Sequence, residues 1–433
     1  MSDTIYALSS GAVPSGVAVV RLSGSEALGI ASALVSKLPN HGCVGFKEIR
    51  DPKDGSLLDH GLLVVFDGPN SFTGEDVVEF HCHGSKPVLS ALFDVFDRYE
   101  GCRQADAGEF SRRAFENGKF DLTEVEGLAD LIGAETEAQR KLALKQAGGD
   151  LRDLYEGWRS ELVRCRALIE AELDFADEDD VPGSVSDQVW RAVSELYGKL
   201  TGHLKDDRTG EIIRDGLRVV LTGPPNAGKS SLLNALAKRD VAIVTPIAGT
   251  TRDVIDVALD LDGFKVTVTD TAGLRRSDDL VELEGIRRAE AAAGEGDVVY
   301  WLQPLGGQED SNRPAGSHLV WTKSDLLDGF KVNDSLTIST VTPDGVTPLL
   351  ADLKSRLSTL ESGLEAPLMT RRRHRQALLA AGENLRSSLN PNQDIEIRSE
   401  HLRRAGDELG KIVGRIDVED LLDVIFSEFC IGK

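Results

Sequence analysis

Residues 223 to 230 read Gly-Pro-Pro-Asn-Ala-Gly-Lys-Ser. Glycines let a backbone wrap closely, so that its N–H groups and a following helix N-terminus can face an anion. Lys229 can reach the outer phosphates of a nucleotide, and the Ser230 hydroxyl is a hard oxygen donor for Mg²⁺. The chemistry served by this spacing is binding of a nucleoside triphosphate. Asp270-Thr271-Ala272-Gly273 adds an aspartate that can hold Mg²⁺ through water and a glycine N–H that can meet the γ-phosphate. Gly249-Thr250-Thr251-Arg252-Asp253 lies between the two motifs, where a switch loop would lend a threonine to Mg²⁺. Thr322-Lys323-Ser324-Asp325 supplies a carboxylate that accepts hydrogen bonds from guanine, which adenine does not offer in the same pattern. The usual form of this motif begins with Asn, so Thr322 is a departure. Ser339-Thr340 stands where a last base-contacting loop belongs.

Leu274 follows Gly273, where many GTPases carry a Gln that orients the attacking water. Leucine cannot do this. Another group must position water and offset transition-state charge. Asn226 could ligate a monovalent cation beside the phosphates, where K⁺ would act electrostatically as an arginine finger does. Glu282, after Arg275 and Arg276, could orient water, although an acidic switch loop can also be merely solvated.

These residues need a strand–loop–helix frame, and the neighbouring sequence offers one. Leu217 to Thr222 is an apolar strand-like run, and Ser231 to Leu236 opens a helix. Phe264 to Thr269 alternates as a strand ending at Asp270; Ser317 to Trp321 and Leu336 to Ile338 are further strands. Asp262-Gly263 is a tight-turn signal joining Val257 to Leu261 with Phe264 to Val268. Before this α/β segment, Val17 to Leu22 and Gly61 to Phe66 read as strands and Pro87 to Tyr99 as a helix, an α+β pattern. Leu122 to about Leu204 has apolar residues three or four apart, and helical patterning returns from Pro367, broken at Asn390-Pro391-Asn392. The expected division is residues 1–117, α+β; 118–212 and 361–433, two parts of one helical domain; and 213–360, an inserted P-loop domain of Ras-like α/β type.

Composition sets the outer limits. The chain has 433 residues, 41% hydrophobic and 28% charged, enough for two or three domains with real cores. No stretch approaches the ~20 apolar residues that span a membrane. The N-terminus lacks a signal-peptide pattern, and the scattered Cys43, Cys82, Cys102, Cys165 and Cys430 fit a reducing cytoplasm. A net charge of −23 argues against a broad nucleic-acid-coating surface, though Arg371-Arg372-Arg373-His374-Arg375 is a local basic run. That run can equally be a solvated helix start. In His81-Cys82-His83, alternation places both His on one face of a strand, but two ligands do not close a metal site.

Over essentially its whole length the chain resembles the bacterial and organellar tRNA-modification GTPase family MnmE, also called TrmE. The resemblance rests on the GTPase motifs, Asn226 to Asn234, Ser71-Phe72-Thr73-Gly74-Glu75-Asp76, Ala107 to Phe115, and the terminal Phe429-Cys430-Ile431-Gly432-Lys433. It implies an N-terminal domain that binds formyl- or methylene-tetrahydrofolate and drives homodimerisation. The matching positions are Arg21, Glu79, Lys119 and Lys433. It implies GTP contacts at Asn226, Ala227, Gly228, Lys229, Ser230, Ser231, Thr245, Thr250, Thr251, Asp270, Thr271, Ala272, Gly273, Thr322, Lys323 and Asp325. Mg²⁺ would be held by Ser230 and Thr251, and K⁺ by Asn226, Thr245, Ile247 and Thr250. Catalysis would rest on Glu282, Lys229 and Asn226. The resemblance further implies a cytoplasmic enzyme that works with the flavoprotein MnmG, which carries the FAD, to modify C5 of wobble uridine in tRNA. It does not settle whether Cys430 is a nucleophile or packs the last helix. A ribosome-assembly GTPase switching on rRNA is the alternative; it shares the phosphate loop but leaves the folate-type segment and Cys-Ile-Gly-Lys terminus unexplained.

Overall fold

The computed structural model describes residues 3–174, 186–205, 208–239, 241–243, 256–270, 296–306, 313–326, 335–416, 419–427, 429 and 432. It divides into two compact units, one of residues 1–129 with 409–433 and one of residues 130–408.

The first unit is built on strands β1 (Thr4–Leu8), β2 (Ser15–Ser23), β3 (Val44–Arg50), β4 (Leu57–Phe66), β5 (Val77–Gly84) and β6 (Cys102–Gln104). They form one sheet in the order β3-β4-β5-β2-β1-β6, antiparallel except for the parallel β1–β6 pair. Both sequence-expected strands fall inside observed ones. The expected helix from Pro87 runs Lys86–Phe96. Ser85 starts it by accepting from Val88 N–H at 3.4 Å, and Pro87 sits in the first turn, where its missing N–H costs nothing. The apolar faces meet in a core that includes Val20, Leu22, Phe80, Leu92 and Phe96. Burying each such side chain contributes about 1.5–3 kcal/mol.

A charged cluster locks the helix Glu109–Glu116 beside β1. The buried Arg113 guanidinium bonds Asp3 at 2.8 Å, Glu75 at 3.1 Å and Glu109 at 3.0 Å. Burial pushes the Glu109 carboxyl up, but bonds from Arg103, the Asp106 N–H and Arg113 outweigh it and hold the group below its usual range. The helix Glu419–Ser427 returns to this same unit, where Phe426 joins a core with Leu122, Val125 and Phe429. Gly108, at φ +68°, allows the close approach: a Cβ there would lie 2.4 Å from Phe426 O. Near the C-terminus, Gly432 (φ +94°) similarly rests on Leu8 O.

The second unit holds β7 (Leu217–Thr222), β8 (Asp256–Leu261), β9 (Phe264–Asp270), β10 (Val298–Pro304), β11 (His318–Thr322) and β12 (Leu336–Thr337). Their order is β12-β11-β10-β7-β9-β8, parallel except for β8. This is the P-loop, Ras-like α/β arrangement expected from the motifs. The β8–β9 turn has Asp262 at φ +55° and Gly263 at φ +87°, the two left-handed residues that a tight hairpin requires. Val219, Leu221, Val266, Val268, Tyr300 and Leu302 fill the core. Ala138 and Leu142 of the helix Glu137–Ala147 pack into it too.

Helices Asp150–Asp174, Ser186–Leu204 and Arg372–Ser388 also belong to this unit and pack together. Tyr155, Leu162, Leu196, Leu200, Leu378 and Leu385 are buried. The last of these helices begins at Arg372, later than the patterning from Pro367, and ends before the expected break at Asn390-Pro391-Asn392. Its basic start is not a uniform cationic surface. His374 is buried, Arg371 bonds Asp130 at 2.7 Å, and Arg375 approaches Glu211 at 3.6 Å. Among the described residues no helix is long and apolar enough to cross a membrane.

Candidate functional site

The phosphate loop leaves β7 at Gly223, whose φ of +135° suits glycine. A Cβ there would lie 2.2 Å from Leu302 O, so the loop can pass this close to β10 only without a side chain. Asn226 takes a left-handed φ of +63°, and Gly228, at φ +100°, precedes the helix Lys229–Ala237. That helix directs its first N–H groups toward the loop, the arrangement that suits an anion. Lys229 Nζ lies across the loop, donating to Gly223 O at 2.8 Å and Pro224 O at 3.0 Å. Ser230 Oγ donates to Asp270 Oδ2 at 2.9 Å. The buried Asp270 at the end of β9 thus brings its carboxylate to the serine hydroxyl. Two hard oxygens at this point are a donor set that suits Mg²⁺.

The residues expected to read the base gather at the ends of β11 and β12. Thr322 is buried, and its hydroxyl donates to Ala227 O of the phosphate loop at 2.7 Å. Lys323 turns left-handed (φ +60°), which carries the chain into the short turn Ser324–Leu326. Asp325 is exposed there. The buried Ser339 hydroxyl donates to Asp325 Oδ1 at 2.6 Å and accepts from Val341 N–H and Thr342 N–H. Thr322, Lys323, Asp325 and Ser339 therefore come to one place. The Thr322–Ala227 bond had no signal in the sequence, because it joins residues 95 positions apart.

Thr245, Ile247, Thr250, Thr251, Thr271, Ala272, Gly273 and Glu282 lie outside the described residues, as do Cys430 and Lys433. Of the residues expected around K⁺, Asn226 alone is described; its exposed amide offers one hard oxygen at the loop.

In the first unit, Arg21 and Glu79 are cross-strand partners on β2 and β5 and form an ion pair at 2.8 Å. The Arg21 guanidinium lies 5.4 Å from the Phe72 ring centre and 5.6 Å from that of Phe110. Arg21, Phe72 and Glu79 border a cavity of about 260 Å³ that is also lined by Phe66, Asn70, Ser71 and Val77. Lys119 Nζ bonds Pro69 O at 2.8 Å, beside the loop that supplies the cavity wall. A cation, a carboxylate and aromatic rings fit a flat heterocycle with an anionic tail. The rings were not legible as lining from sequence. Cys82 is buried on the opposite face of β5 from His81 and His83, which bond Glu79 and Asp59. Burial pushes the Cys82 thiol up to about 11. Among the described residues no cluster could hold a metal ion through His, Cys, Asp and Glu.

Comparison with known proteins covers both regions. Residues 4–119 match the model "GTP-binding protein TrmE N-terminus", and residues 122–430 match the "MnmE helical domain". The tRNA modification GTPase MnmE of Rhizobium etli is 52% identical over 438 residues, covering 100% of this chain and 99% of the relative. This chain belongs to the MnmE family. Similar relatives bearing the same description come from Rhizobium johnstonii, 52% identical, and Rhizobium meliloti, 51% identical, each covering 100% of this chain and 99% of the relative. The MnmE-family match thus spans the α+β unit and the helices as well as the nucleotide fold. The phosphate loop, Thr322 and the Arg21 cavity all lie within the aligned length.

Proposed function

We propose that this chain is a K⁺-stimulated GTPase whose hydrolysis cycle is coupled to modification of the wobble uridine of tRNA. The full-length family match, carried by a phosphate loop with Ser230 and Asp270 in contact, is the observation that supports this most strongly. Gly223 to Gly228 would wrap the phosphates, Lys229 would pair with the outer ones, and Asp325 would read guanine. Ser230 and Thr251 would hold Mg²⁺, which offsets phosphate charge when bound. Asn226, Thr245, Ile247 and Thr250 would hold K⁺. Glu282 would orient the attacking water where Leu274 cannot.

Arg21, Glu79, Lys119 and Lys433 would bind a tetrahydrofolate that supplies one carbon. Arg21 can pair with the folate carboxylates, and Glu79 can accept from the pterin N–H edge. The one-carbon unit and an amine would form an aminomethyl-type group on uridine C5, with the flavoprotein MnmG providing FAD. The chain would act in the cytoplasm as a homodimer, with residues 1–117 as the folate and dimerisation domain, 213–360 as the GTPase, and 118–212 with 361–433 as the helical domain. Phosphate release from GTP, measured in K⁺ against Na⁺ for the wild type and Glu282→Ala, tests the hydrolytic part. K⁺ should stimulate the wild type, and the variant should show little turnover. Equal rates in both salts, or an unaffected variant, would count against it.

A further inference from the structure

The motif that reads the base begins with Thr322 instead of the usual Asn, and the hydrogen bonding of that threonine is specific. We infer that Thr322 is a positioning residue that ties the base loop to the phosphate loop and leaves guanine N7 unread. The inference rests on the GTPase reading above. A threonine hydroxyl has one proton. Here it is given to Ala227 O at 2.7 Å, in a site where Thr322 is only 4% exposed. The Thr322 carbonyl is engaged as well, accepting from Leu305 N–H at 2.9 Å. No side-chain donor on this residue remains for a base. Guanine presents N7 and O6 as acceptors on one edge and the amino group on another. An asparagine amide has two N–H donors and could serve a carbonyl and a base acceptor at once; threonine can serve one.

The tie also sets the carboxylate. Ala227 is immediately followed by Gly228 and Lys229, so the bond spans from the phosphate-binding end of the site to the residue that begins the base loop. From that anchored point Lys323 turns left-handed, and Asp325 follows in the short turn held by Ser339. Discrimination of guanine then rests on Asp325 accepting from the N1–H and amino groups. Thr322 governs where that carboxylate stands.

The test is equilibrium binding of GDP, 7-deaza-GDP and IDP to the full chain. In 7-deaza-GDP a C–H replaces N7; IDP lacks the amino group. The wild type is expected to bind 7-deaza-GDP within about fivefold of GDP and IDP about tenfold or more weaker. Thr322→Val keeps the shape but leaves Ala227 O without its donor; it is expected to lose about tenfold in GDP affinity and to narrow the GDP-over-IDP preference. Thr322→Ser is expected to restore both. A merely structural loss would weaken GDP and IDP alike. The inference is overturned if the wild type binds 7-deaza-GDP more than fivefold weaker than GDP, or if Thr322→Val keeps the wild-type preference. A wild-type chain that binds no guanine nucleotide would instead overturn the GTPase reading.

Discussion

Asp325→Asn isolates guanine reading from folding. The side chain is exposed, and its Oδ1 accepts from Ser339 Oγ at 2.6 Å. An asparagine oxygen can accept the same bond, so the turn should survive and unfolding stability should change by no more than about 0.5 kcal/mol. The second carboxylate oxygen becomes an NH₂ group, which faces the guanine N1–H and amino donors with another donor. A hydrogen bond to an ionised acceptor is worth about 1.5–3 kcal/mol. Two such bonds in an exposed, partly screened position amount to about 3 kcal/mol, or roughly 100-fold in affinity. Xanthine carries a carbonyl where guanine has its amino group, so the new amide can donate to it. Competition binding of GDP and XDP should show GDP weakened about 100-fold and XDP strengthened. A variant that holds GDP within about threefold of wild type and gains nothing for XDP would refute base reading by Asp325.

Three other perturbations have defined outcomes. Gly223→Ala forces a Cβ to 2.2 Å from Leu302 O at φ +135°; denaturant titration should show the nucleotide fold destabilised by about 3 kcal/mol, with GDP binding lost. Arg21→Ala removes a cation set between Phe72 and Glu79; calorimetry with 5-formyltetrahydrofolate should show affinity reduced about 10- to 100-fold while GDP binding is unchanged. A folate affinity untouched by the change would remove Arg21 from that site. The Arg98 hydrogen bond, with help from Lys53 N–H, holds the Asp51 carboxyl down at about 2. The folded pKa lies below the unfolded value of ~3.9, so the stabilisation is complete above pH ~4 and disappears as pH falls toward ~2. Urea midpoints of the wild type and Arg98→Met should therefore differ at pH 6 and converge near pH 2.

The elements that could be read from sequence were those with a local signal. The phosphate loop is contiguous, the β8–β9 hairpin carries Asp262-Gly263, and β9 alternates from Phe264 up to the aspartate that meets Ser230. The departure at Thr322 was visible, but its consequence was not, since the partner is a backbone carbonyl in a distant loop. The Arg113 cluster was hidden for the same reason: Asp3, Glu75 and Glu109 converge only after β1 and the helix Glu109–Glu116 have packed. Phe72 and Phe110 gave no periodic signal that they would flank Arg21. The basic run at 371–375 shows the limit of charge counting. Three of its members point to Asp130, to Glu211 or into the interior, because a helix start beside acidic neighbours neutralises what the one-dimensional pattern displays.

The coupling of GTP hydrolysis to tRNA modification is tested most directly by the modified nucleosides themselves. Total tRNA from a strain lacking the gene would be digested and its wobble uridines measured by mass spectrometry. The aminomethyl-type C5 modification should be lost, and restored by the wild-type gene but not by Glu282→Ala. An unchanged nucleoside profile, in a strain with no second copy of the gene, would contradict it and bring forward a GTPase switch acting on ribosomal RNA.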